Sequence, residues 1–420
     1  MSNLLFYADI FLRYIKFATN FFGSCILSIR VKRLHEVSFT KLDPLPCVTT
    51  YALITLPLKA PCVLPYIHYI TMKLSKFNFT LPSKLIATHP SEHRGDARLM
   101  VVHKETGKIE HKTFNDLVDY LQEDDMVVLN DTKVLPAKLY GSKDQTVAEI
   151  EVFLLRELES TEHLWDTLVE PARKIRVGNK LSFGENDELV AEVLDNTTSR
   201  GRTLKFLFNG TTQELYDIVE RFGRMPLPEQ IKRPYEPIDQ ERLQTIFAKH
   251  IGAVVPPASG LHVTPHLLKR LELKGVHAAA VTLHISLNAV KNIEVEDLAK
   301  YKLGAELLNI SEETVLAVNK ALGAKKRICA IGSATATALE NSVSVAGNLK
   351  TFNDWTSKLI LPPHNFKICN ALVTNFHLPE SLPLVAVSAF LGYEMTKEMY
   401  QVAIKEKYKF FIYGDAMLII

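Results

Sequence analysis

The chain has 420 residues, 47% of them hydrophobic and 23% charged, which is ordinary for a soluble globular protein and long enough for two domains. Its 49 basic and 47 acidic residues nearly balance, so overall charge gives no support for a nucleic-acid partner, and any such surface must be a local patch. The five cysteines show neither metal-ligand spacing nor a disulfide framework, and we expect reduced thiols in a cytoplasmic protein.

Residues 1–71 differ in composition from the rest of the chain. They carry seven basic and three acidic residues, which leaves 42 and 44 in the remainder and a net charge of −2 there. Three charged residues interrupt the apolar run over 4–29, and a central charge costs about 2.5 to 3.5 kcal/mol on membrane-insertion scales. We expect an extraneous or weakly structured extension, with the working protein starting at Met72. A weak membrane-associated segment is the alternative.

The first part of the remainder predicts a helix, a buried strand and then a series of short strands. The stretch "TFNDLVDYLQEDD" (113–125) has helical spacing, and the apolar run "MVVL" that follows it is typical of a buried strand. Residues 138–222 contain five or six short stretches with a period of two, separated by Gly, Asn, Asp and Ser. That spacing indicates a small antiparallel barrel.

After residue 233 helix and strand patterns alternate. The helix "TPHLLKRLELKG" begins at its N-cap Thr264 and stops at Gly275, and a later helix begins at Ser311. "VHAAAVTLHI", "RICAIG" and "ICNALVTNF" predict strands, and we expect "YKFFIYG" (408–414) to be another. Alternating units predict a mostly parallel, helix-covered sheet. The fold class is therefore α/β, with residues 72–137 and 223–420 forming one discontinuous catalytic domain and 138–222 an inserted β-barrel domain.

Polar residues follow the buried strand pattern "MVVL", because Asn130, Asp131 and Thr132 come next. Open α/β sheets bind ligands at the carboxyl ends of their strands. A carboxylate beside an apolar strand end can have a raised pKa, which suits a general base, so Asp131 is a catalytic candidate. Asn and Asp also favour turns, and a purely structural turn is the alternative.

The loop "GAVVPPASGLHVT" (252–264) combines adjacent prolines, small residues and a histidine. The prolines hold the backbone extended, while Ser259 and Gly260 let a ligand approach the main chain. His262 lies just ahead of a helix N-terminus with its free N–H groups. Taken alone, the pattern slightly favours a tight turn with a capping histidine, and the alternative is a wall of a ligand pocket that His262 faces.

Two more strand ends carry polar side chains, and one segment of the barrel is basic. Asn375 and His377 follow the strand pattern at 371–374, and Asp415 follows the strand expected at 408–414. "AIGSATATALE" lacks the Lys and the spacing of a phosphate loop, and its single Gly excludes a dinucleotide fingerprint. In the barrel segment, phosphate contact and a solvated basic face are the two interpretations of a cluster formed by Arg173, Lys174 and Arg176.

These motifs, in this order, resemble one family, the S-adenosylmethionine:tRNA ribosyltransferase-isomerases of queuosine biosynthesis. The similarity begins at "MKLSKFNFTLPSKLIATHP" and continues through "LNDTKVLPAKLYG", "VEPARKIRVG", "VTLHI", "TNFHLPESL" and "YKFFIYGDAML". It covers nearly everything from Met72 to Ile420. The resemblance implies an α/β domain interrupted by a small β-barrel, in agreement with the pattern of elements.

The resemblance also implies a reaction. S-adenosylmethionine would serve as ribosyl donor to 7-aminomethyl-7-deazaguanine at the tRNA wobble position, giving epoxyqueuosine, adenine and methionine. The sulfonium acidifies the ribose 5′ carbon, so a base is needed there, and adenine leaves more readily when protonated. No metal is needed. We expect a cytoplasmic monomer whose partners are tRNA and S-adenosylmethionine, without a stable membrane partner.

Strand-end position and resemblance together give the expected site residues. Acid and base roles are expected for Asp131, His262, Glu306 and Asp415. Donor or base contacts are expected for Ser259, Gly260, Asn375 and His377. Contacts to tRNA phosphates are expected for Arg173, Lys174 and Arg176. We expect one cavity at the edge of the sheet to collect the acid, base and donor-binding groups.

The chain departs from the family pattern in several places. Ser286 and Asn288 stand where glycines are expected, Val290 where Phe is expected and Thr337 in an Arg position, while "LGAE" retains Glu306. Losing a Gly changes how closely backbone approaches a ligand, and no Thr replaces the donors of Arg. A catalytically weakened paralogue that binds tRNA without turnover is therefore the alternative. An ordinary methyltransferase would need a glycine-rich first loop, which is missing.

Overall fold

A computed structural model describes residues 72–143, 149–184 and 186–420. The expectations for residues 1–71, including the three N-terminal cysteines and the apolar run, lie outside the described residues. Within them Cys329 and Cys369 are buried free thiols. None of the helices in this part of the chain combines the length and apolarity needed to cross a membrane.

The described residues form strands that belong to a large sheet, a barrel and a two-stranded ladder. The strands, in chain order, are β1 (Arg98–Val102), β2 (Ile109–Thr113), β3 (Met126–Asn130), β4 (Thr132–Val134), β5 (Lys138–Lys143), β6 (Glu149–Glu159), β7 (Leu164–Glu170), β8 (Lys180–Phe183), β9 (Leu189–Asn196), β10 (Gly201–Phe206), β11 (His250–Ala253), β12 (His277–Leu283), β13 (Glu306–Ile310), β14 (Ile328–Ile331), β15 (Phe352–Thr356), β16 (Ala371–Asn375) and β17 (Ala416–Ile419). The α-helices are α1 (Thr212–Phe222), α2 (Pro237–Arg242), α3 (Pro265–Leu273), α4 (Glu312–Gly323), α5 (Ser333–Asn341), α6 (Leu382–Leu391) and α7 (Tyr393–Lys405).

The large sheet has nine strands in the order β15-β13-β12-β3-β14-β16-β17-β1-β2. Its centre, from β12 through β3 and β14 to β16, is parallel. Antiparallel pairs flank this centre on both sides, so the sheet is mixed and is parallel mainly in the middle. The expected α/β fold with a helix-covered sheet and a small barrel is confirmed.

Burial on both faces explains why the central strands are apolar throughout. In β3, Met126 and Val128 join the core on one face, whereas Val127 and Leu129 join the core on the other. Successive side chains of a strand point to opposite faces, so a strand covered on both sides needs apolar residues at every position. The continuous run "MVVL" is the result.

The barrel is closed and antiparallel, with strand order β10-β7-β6-β5-β8-β9. Along β6 the buried residues Ile150, Val152 and Leu154 alternate with more exposed ones, which is the predicted period of two. These side chains pack in a core that also contains Trp165 and Phe183. Closing the sheet leaves no unpaired edge strand.

Helix ends follow the sequence signals closely. Thr264 caps α3 by accepting a hydrogen bond from Leu267 N at 3.0 Å, and Ser311 caps α4 in the same way. Gly275 has a φ of +81°, a conformation that favours glycine at the end of a helix. The helix expected over 113–125 is shorter, and its regular part is a 3₁₀ helix over Phe114–Tyr120.

The expectation of a strand at 408–414 is wrong. That segment is irregular, and the last strand is β17, which follows Asp415. Phe411 has a φ of +80°, which no regular strand allows. The N–H groups of the segment bond elsewhere, since Phe410 N donates to Leu85 O and Phe411 N to Phe376 O. An apolar composition alone did not reveal this change in backbone direction.

Candidate active site

The carboxyl ends of β12, β3, β14 and β16 lie side by side at one edge of the sheet. Asn130 ends β3 and ties it to β12, since its Nδ2 donates to Leu283 O at 2.9 Å and its Oδ1 accepts from Leu283 N at 3.0 Å. The pair of bonds fixes the geometry of this edge. Polar residues that follow these strands are therefore held in defined positions.

His262 and Asn375 form a buried pair at this edge. His262 Nε2 lies 3.3 Å from Asn375 Oδ1, and the imidazole packs on Phe114 with ring centroids 5.0 Å apart. Burial lowers the pKa of His262 to about 4, so the ring is neutral at physiological pH. Asn375 is fully buried and donates to Phe411 O at 3.0 Å and Ile412 O at 3.2 Å. The amide thus joins the loop 252–264 to the irregular segment 408–414.

Asp415 binds backbone N–H groups. Its two carboxylate oxygens accept from Arg98 N at 2.8 Å and from Lys409 N at 2.7 Å. Burial raises the pKa of Asp415, while these two hydrogen bonds act in the opposite direction. The carboxylate therefore fastens β17 to its neighbours, next to the end of β16.

Asp131 lines a cleft of about 440 Å³ together with Lys249, His250 and Thr282. Its Oδ1 accepts a 2.6 Å hydrogen bond from Thr282, and its Oδ2 lies 3.8 Å from His250 Nε2. The residue as a whole is 6% exposed. Asp131 is thus close to solvent through this cleft, and neither His262 nor Asn375 lines the same cleft.

A larger cleft of about 490 Å³ lies between the barrel and the sheet, and we call it the central cleft. The barrel and α1 contribute four of its polar or aromatic side chains, Arg156, Glu157, Trp165 and Tyr216. The sheet and its loops contribute four others, His284, Ser286, Glu306 and Trp355.

Glu306 begins β13 and lies in the wall of the central cleft. Its Oε1 accepts from Ser286 N at 2.8 Å and from Ser286 Oγ at 2.7 Å. Burial raises the pKa of Glu306, while the bonds from Ser286 act against that rise. Ser286, which departs from the family glycine, therefore contacts the carboxylate directly.

His284 follows β12 and was not predicted as a site residue. Its Nδ1 lies 2.7 Å from Thr132 Oγ1, and burial lowers its pKa to about 4. A side chain at Gly252 would collide with the ring, since a Cβ placed there would be 2.7 Å from His284. His284 lies inside the strand predicted from "VHAAAVTLHI", and only the observed end of β12 at Leu283 places it directly after a buried strand, as Asp131 is.

His377 lines a third cleft of about 400 Å³. Its Nε2 lies 2.8 Å from Thr374 Oγ1, and burial lowers its pKa to about 3. Lys291 lines both this cleft and the central cleft, so the two are neighbours. Ser259 and Gly260 are buried instead, and a Cβ on Gly260 would be 3.0 Å from both Phe247 and Thr245.

The structure therefore distributes the expected site residues over several places. His262 and Asn375 form a buried hydrogen-bonded pair at the end of β16, and Asp415 lies next to it before β17 with its carboxylate bound to Arg98 N and Lys409 N. Glu306, Asp131 and His377 line three different clefts. Sequence reasoning missed the aromatic wall of the central cleft. The signal that could have found this wall was the rarity of tryptophan, because the chain has only two tryptophans and both line this cleft.

The basic loop of the barrel carries Arg173, Lys174 and Arg176 on its exposed side. Arg202 lies beneath it, 6% exposed, and donates to Ala172 O at 2.7 Å and to Ile175 O at 2.8 and 3.0 Å. A buried guanidinium thus fixes the loop that displays the three cations. Such a display suits a polyanion.

The central cleft combines groups for acid and base chemistry with aromatic walls. Burial raises the pKa of Glu306, a direction that suits a proton-transfer group, and His284 is a neutral hydrogen-bonding group. Trp355 and Arg156 lie at the cleft, with the guanidinium carbon 6.0 Å from the ring centroid. In the described part of the chain, no group of three or more His, Cys, Asp or Glu residues is arranged for a metal ion.

Comparison with known proteins identifies the family of the chain. A family model described as "Queuosine biosynthesis protein" matches residues 74–419. An S-adenosylmethionine:tRNA ribosyltransferase-isomerase of Amoebophilus asiaticus is 69% identical over 349 residues, 83% of this chain and 100% of that protein. The same-named protein of Cytophaga hutchinsonii is 54% identical with the same coverage. A crystal structure of S-adenosylmethionine tRNA ribosyltransferase from Thermotoga maritima aligns with a TM-score of 0.47 and 33% identity, over 82% of this chain and 100% of that one. The chain belongs to the queuosine biosynthesis protein family.

Proposed function

We propose that the chain is an S-adenosylmethionine:tRNA ribosyltransferase-isomerase of queuosine biosynthesis. It transfers and isomerises the ribosyl group of S-adenosylmethionine onto 7-aminomethyl-7-deazaguanine at the tRNA wobble position. The products are epoxyqueuosine in tRNA, adenine and methionine. The observation that carries the proposal is 69% identity to a curated enzyme of that name along its whole length. The proposal includes a cytoplasmic, monomeric enzyme that uses no metal.

The central cleft is the proposed place of the reaction. It is bounded by the sheet on one side and by the barrel on the other, so two different substrates can meet there. Glu306 is the proposed acid and base group, because its carboxyl has a raised pKa and remains oriented by Ser286. A protonated Glu306 favours departure of adenine, and its ionised form accepts the proton acidified by the sulfonium. His284 is the proposed neutral hydrogen-bonding partner beside it.

The remaining expected residues have supporting roles in this proposal. Asp131, Ser259, Gly260 and His377 shape the sheet edge and its smaller clefts. His262, Asn375 and Asp415 position that edge through their buried hydrogen bonds. tRNA phosphates are bound by the basic loop, that is, by Arg173, Lys174 and Arg176.

The alternative of a paralogue that binds tRNA without turnover is not favoured. It rested on substitutions at residues 285–292, 303–306 and 332–340, and one of them, Ser286, donates two hydrogen bonds to the Glu306 carboxylate. A single incubation separates the hypotheses: the chain starting at Met72, pathway-intermediate tRNA and radiolabelled S-adenosylmethionine. The proposal predicts free adenine and methionine. Binding of tRNA without adenine would support the silent paralogue, and S-adenosylhomocysteine would support a methyltransferase.

A further inference from the structure

The position of the ring proton decides what His284 offers to the central cleft, which it lines. A neutral imidazole has one nitrogen that donates a hydrogen bond and one that accepts. Burial lowers the pKa of His284 to about 4, so the ring is neutral at physiological pH. Its Nδ1 lies 2.7 Å from Thr132 Oγ1, whereas its Nε2 bonds to none of the described residues. The partner at Nδ1 therefore determines which nitrogen carries the proton.

Thr132 is fully buried, and within the described residues its hydroxyl has His284 as its only partner. If Nδ1 carried the proton, the imidazole would donate to Oγ1, and the hydroxyl hydrogen would be buried without an acceptor. A buried donor without an acceptor is unfavourable. If the hydroxyl donates instead, Nδ1 accepts, and no buried donor is left unmatched. The ring proton is then on Nε2.

Asn130 fixes the backbone on both sides of this contact. Its Oδ1 accepts from Leu283 N at 3.0 Å and from Thr132 N at 3.2 Å, and its Nδ2 donates to Leu283 O at 2.9 Å. Leu283 directly precedes His284 in the chain. One buried amide thus holds the two backbone segments that carry the threonine and the histidine, so the hydroxyl and Nδ1 remain opposite each other.

Gly252 and β13 hold the imidazole in place. A Cβ on Gly252 would be 2.7 Å from the Cγ and Nδ1 atoms of His284, so the glycine backbone packs directly against the ring. The backbone N–H of His284 donates to Leu307 O at 3.0 Å, and Leu307 follows Glu306 in β13. A half-turn of the ring would place a carbon at Thr132 and lose the hydrogen bond. Nε2 is therefore the nitrogen left for a ligand in the central cleft.

We propose that Thr132 fixes His284 as the Nε2–H tautomer, which makes the imidazole a neutral hydrogen-bond donor in the central cleft and excludes it as a general base there. Such a donor stabilises an atom that gains electron density in the transition state. The inference deepens the proposed function and rests on it for the identity of that atom.

The departing adenine supplies the acceptor. In the proposed reaction the bond between ribose C1′ and adenine N9 breaks, and its electron pair goes to the purine. His284 donates to a purine nitrogen and keeps its own proton, while Glu306 supplies the proton that leaves with adenine. His284 thus contacts the substrate, and Thr132 is a positioning residue that acts through it.

Nitrogen NMR tests the tautomer without any turnover. The full chain is labelled with ¹⁵N in its histidines, and the His284 signals are those lost in His284→Gln. A ring nitrogen that carries a proton differs in chemical shift from one that does not. The proposal predicts a protonated Nε2 and an unprotonated Nδ1 in the wild type at pH 7. In Thr132→Val the Nδ1 signal should move to the position of a nitrogen without a hydrogen bond, and Thr132→Ser should restore it.

Single-turnover release of adenine tests what the donor does. In Thr132→Val the ring is no longer fixed, and the rate should fall by about tenfold, since loss of a whole preorganised donor costs about a hundredfold or more. The half-saturating concentrations of S-adenosylmethionine and tRNA should stay unchanged, because the donor acts on charge that develops only in the transition state. Thr132→Ser keeps the hydroxyl and should recover the wild-type rate.

A buried threonine elsewhere in the fold is the matched control. Thr396 of α7 is 4% exposed, and its hydroxyl donates to Gly392 O at 2.7 Å. This residue does not line the central cleft. Thr396→Val removes the same group from a buried position, and it should leave both the His284 signals and the rate of adenine release unchanged.

The outcomes for the tautomer and for the reaction are separable. A protonated Nδ1 in the wild type, or an Nδ1 signal that Thr132→Val does not move, would overturn the inference. An equal fall in rate in Thr396→Val, or no recovery in Thr132→Ser, would show that Thr132 serves stability only. Should Thr132→Val not fold, Thr132→Ala takes its place. If the wild-type chain releases no adenine, the proposed function fails, and the NMR result alone decides the tautomer.

Discussion

His262 shows how burial changes the chemistry of a single residue. Its place after a proline-rich loop predicts an imidazole facing a ligand. In the structure it is 5% exposed, packed against Phe114 with the two rings tilted, and hydrogen-bonded to Asn375. Sequence position identified the residue, but the burial depends on Phe114, which lies far away in the chain. A pattern along the sequence carries no information about such a contact.

The lowered pKa of His262 predicts how stability depends on pH. The pKa is about 4 in the folded chain against 6.5 for an exposed histidine, so the unfolded chain takes up the proton first as pH falls. Stability is therefore lost as pH falls from about 6.5 towards about 4, and this histidine contributes about 1 to 2 kcal/mol between pH 7 and pH 5.

Urea unfolding at pH 7 and pH 5 measures this contribution. The variant His262→Gln cannot titrate, so its unfolding free energy should fall less between the two pH values than that of the wild type, by the same 1 to 2 kcal/mol estimated for the histidine. The variant should also be less stable at pH 7, because a buried ring is lost. Identical pH dependence in both proteins would show that His262 does not titrate between the folded and unfolded states.

At the scale of elements, helix caps and hydrophobic periodicity predicted most of the helices and strands. They did not predict where the backbone changes direction. Thr264, Ser311 and Gly275 mark helix ends through local bonds that the sequence specifies. The segment 408–414 has a strand-like composition, yet its N–H groups bond to distant partners such as Leu85 and Phe376. Long-range contacts of this kind override local propensity.

The basic loop gives a prediction at the same scale. Arg202→Lys removes the guanidinium donors that hold Ala172 O and Ile175 O, and so takes two hydrogen bonds from the carbonyl of the buried Ile175. We expect the unfolding free energy to fall by about 2 to 3 kcal/mol and the Kd for tRNA to rise by about tenfold. Denaturant unfolding and filter binding measure the two effects.

A control on the same strand separates the loop from general destabilisation. Lys205→Gln removes a surface ion pair on β10 and should change the unfolding free energy by less than about 0.5 kcal/mol and leave tRNA binding intact. If Arg202→Lys lowers stability but leaves the Kd for tRNA unchanged, the basic loop does not bind tRNA.

At the scale of the molecule, the barrel supplies what the sheet lacks. We propose that residues 138–222 form an inserted domain, since β5 to β10 close into one barrel. The core of this barrel continues into residues of the α/β domain such as Val254, Leu261 and Ile412. The sheet edge carries the polar strand ends, and the barrel brings aromatic and acidic residues to face them. The sheet and the barrel were each predicted from the periodicity of hydrophobic residues. Their meeting at one cleft was not, because the approach of Arg156 on β6 to Trp355 on β15 depends on how the barrel and the sheet fit together.

The central claim is that the reaction takes place in the central cleft through Glu306. The most direct measurement is single-turnover release of adenine by Glu306→Gln, with saturating pathway-intermediate tRNA and radiolabelled S-adenosylmethionine. The account predicts a rate at least about a hundredfold below that of the wild type, the usual contribution of a general acid or base, with an unchanged Kd for tRNA. Adenine release at the wild-type rate would contradict it and place the chemistry elsewhere on the sheet edge.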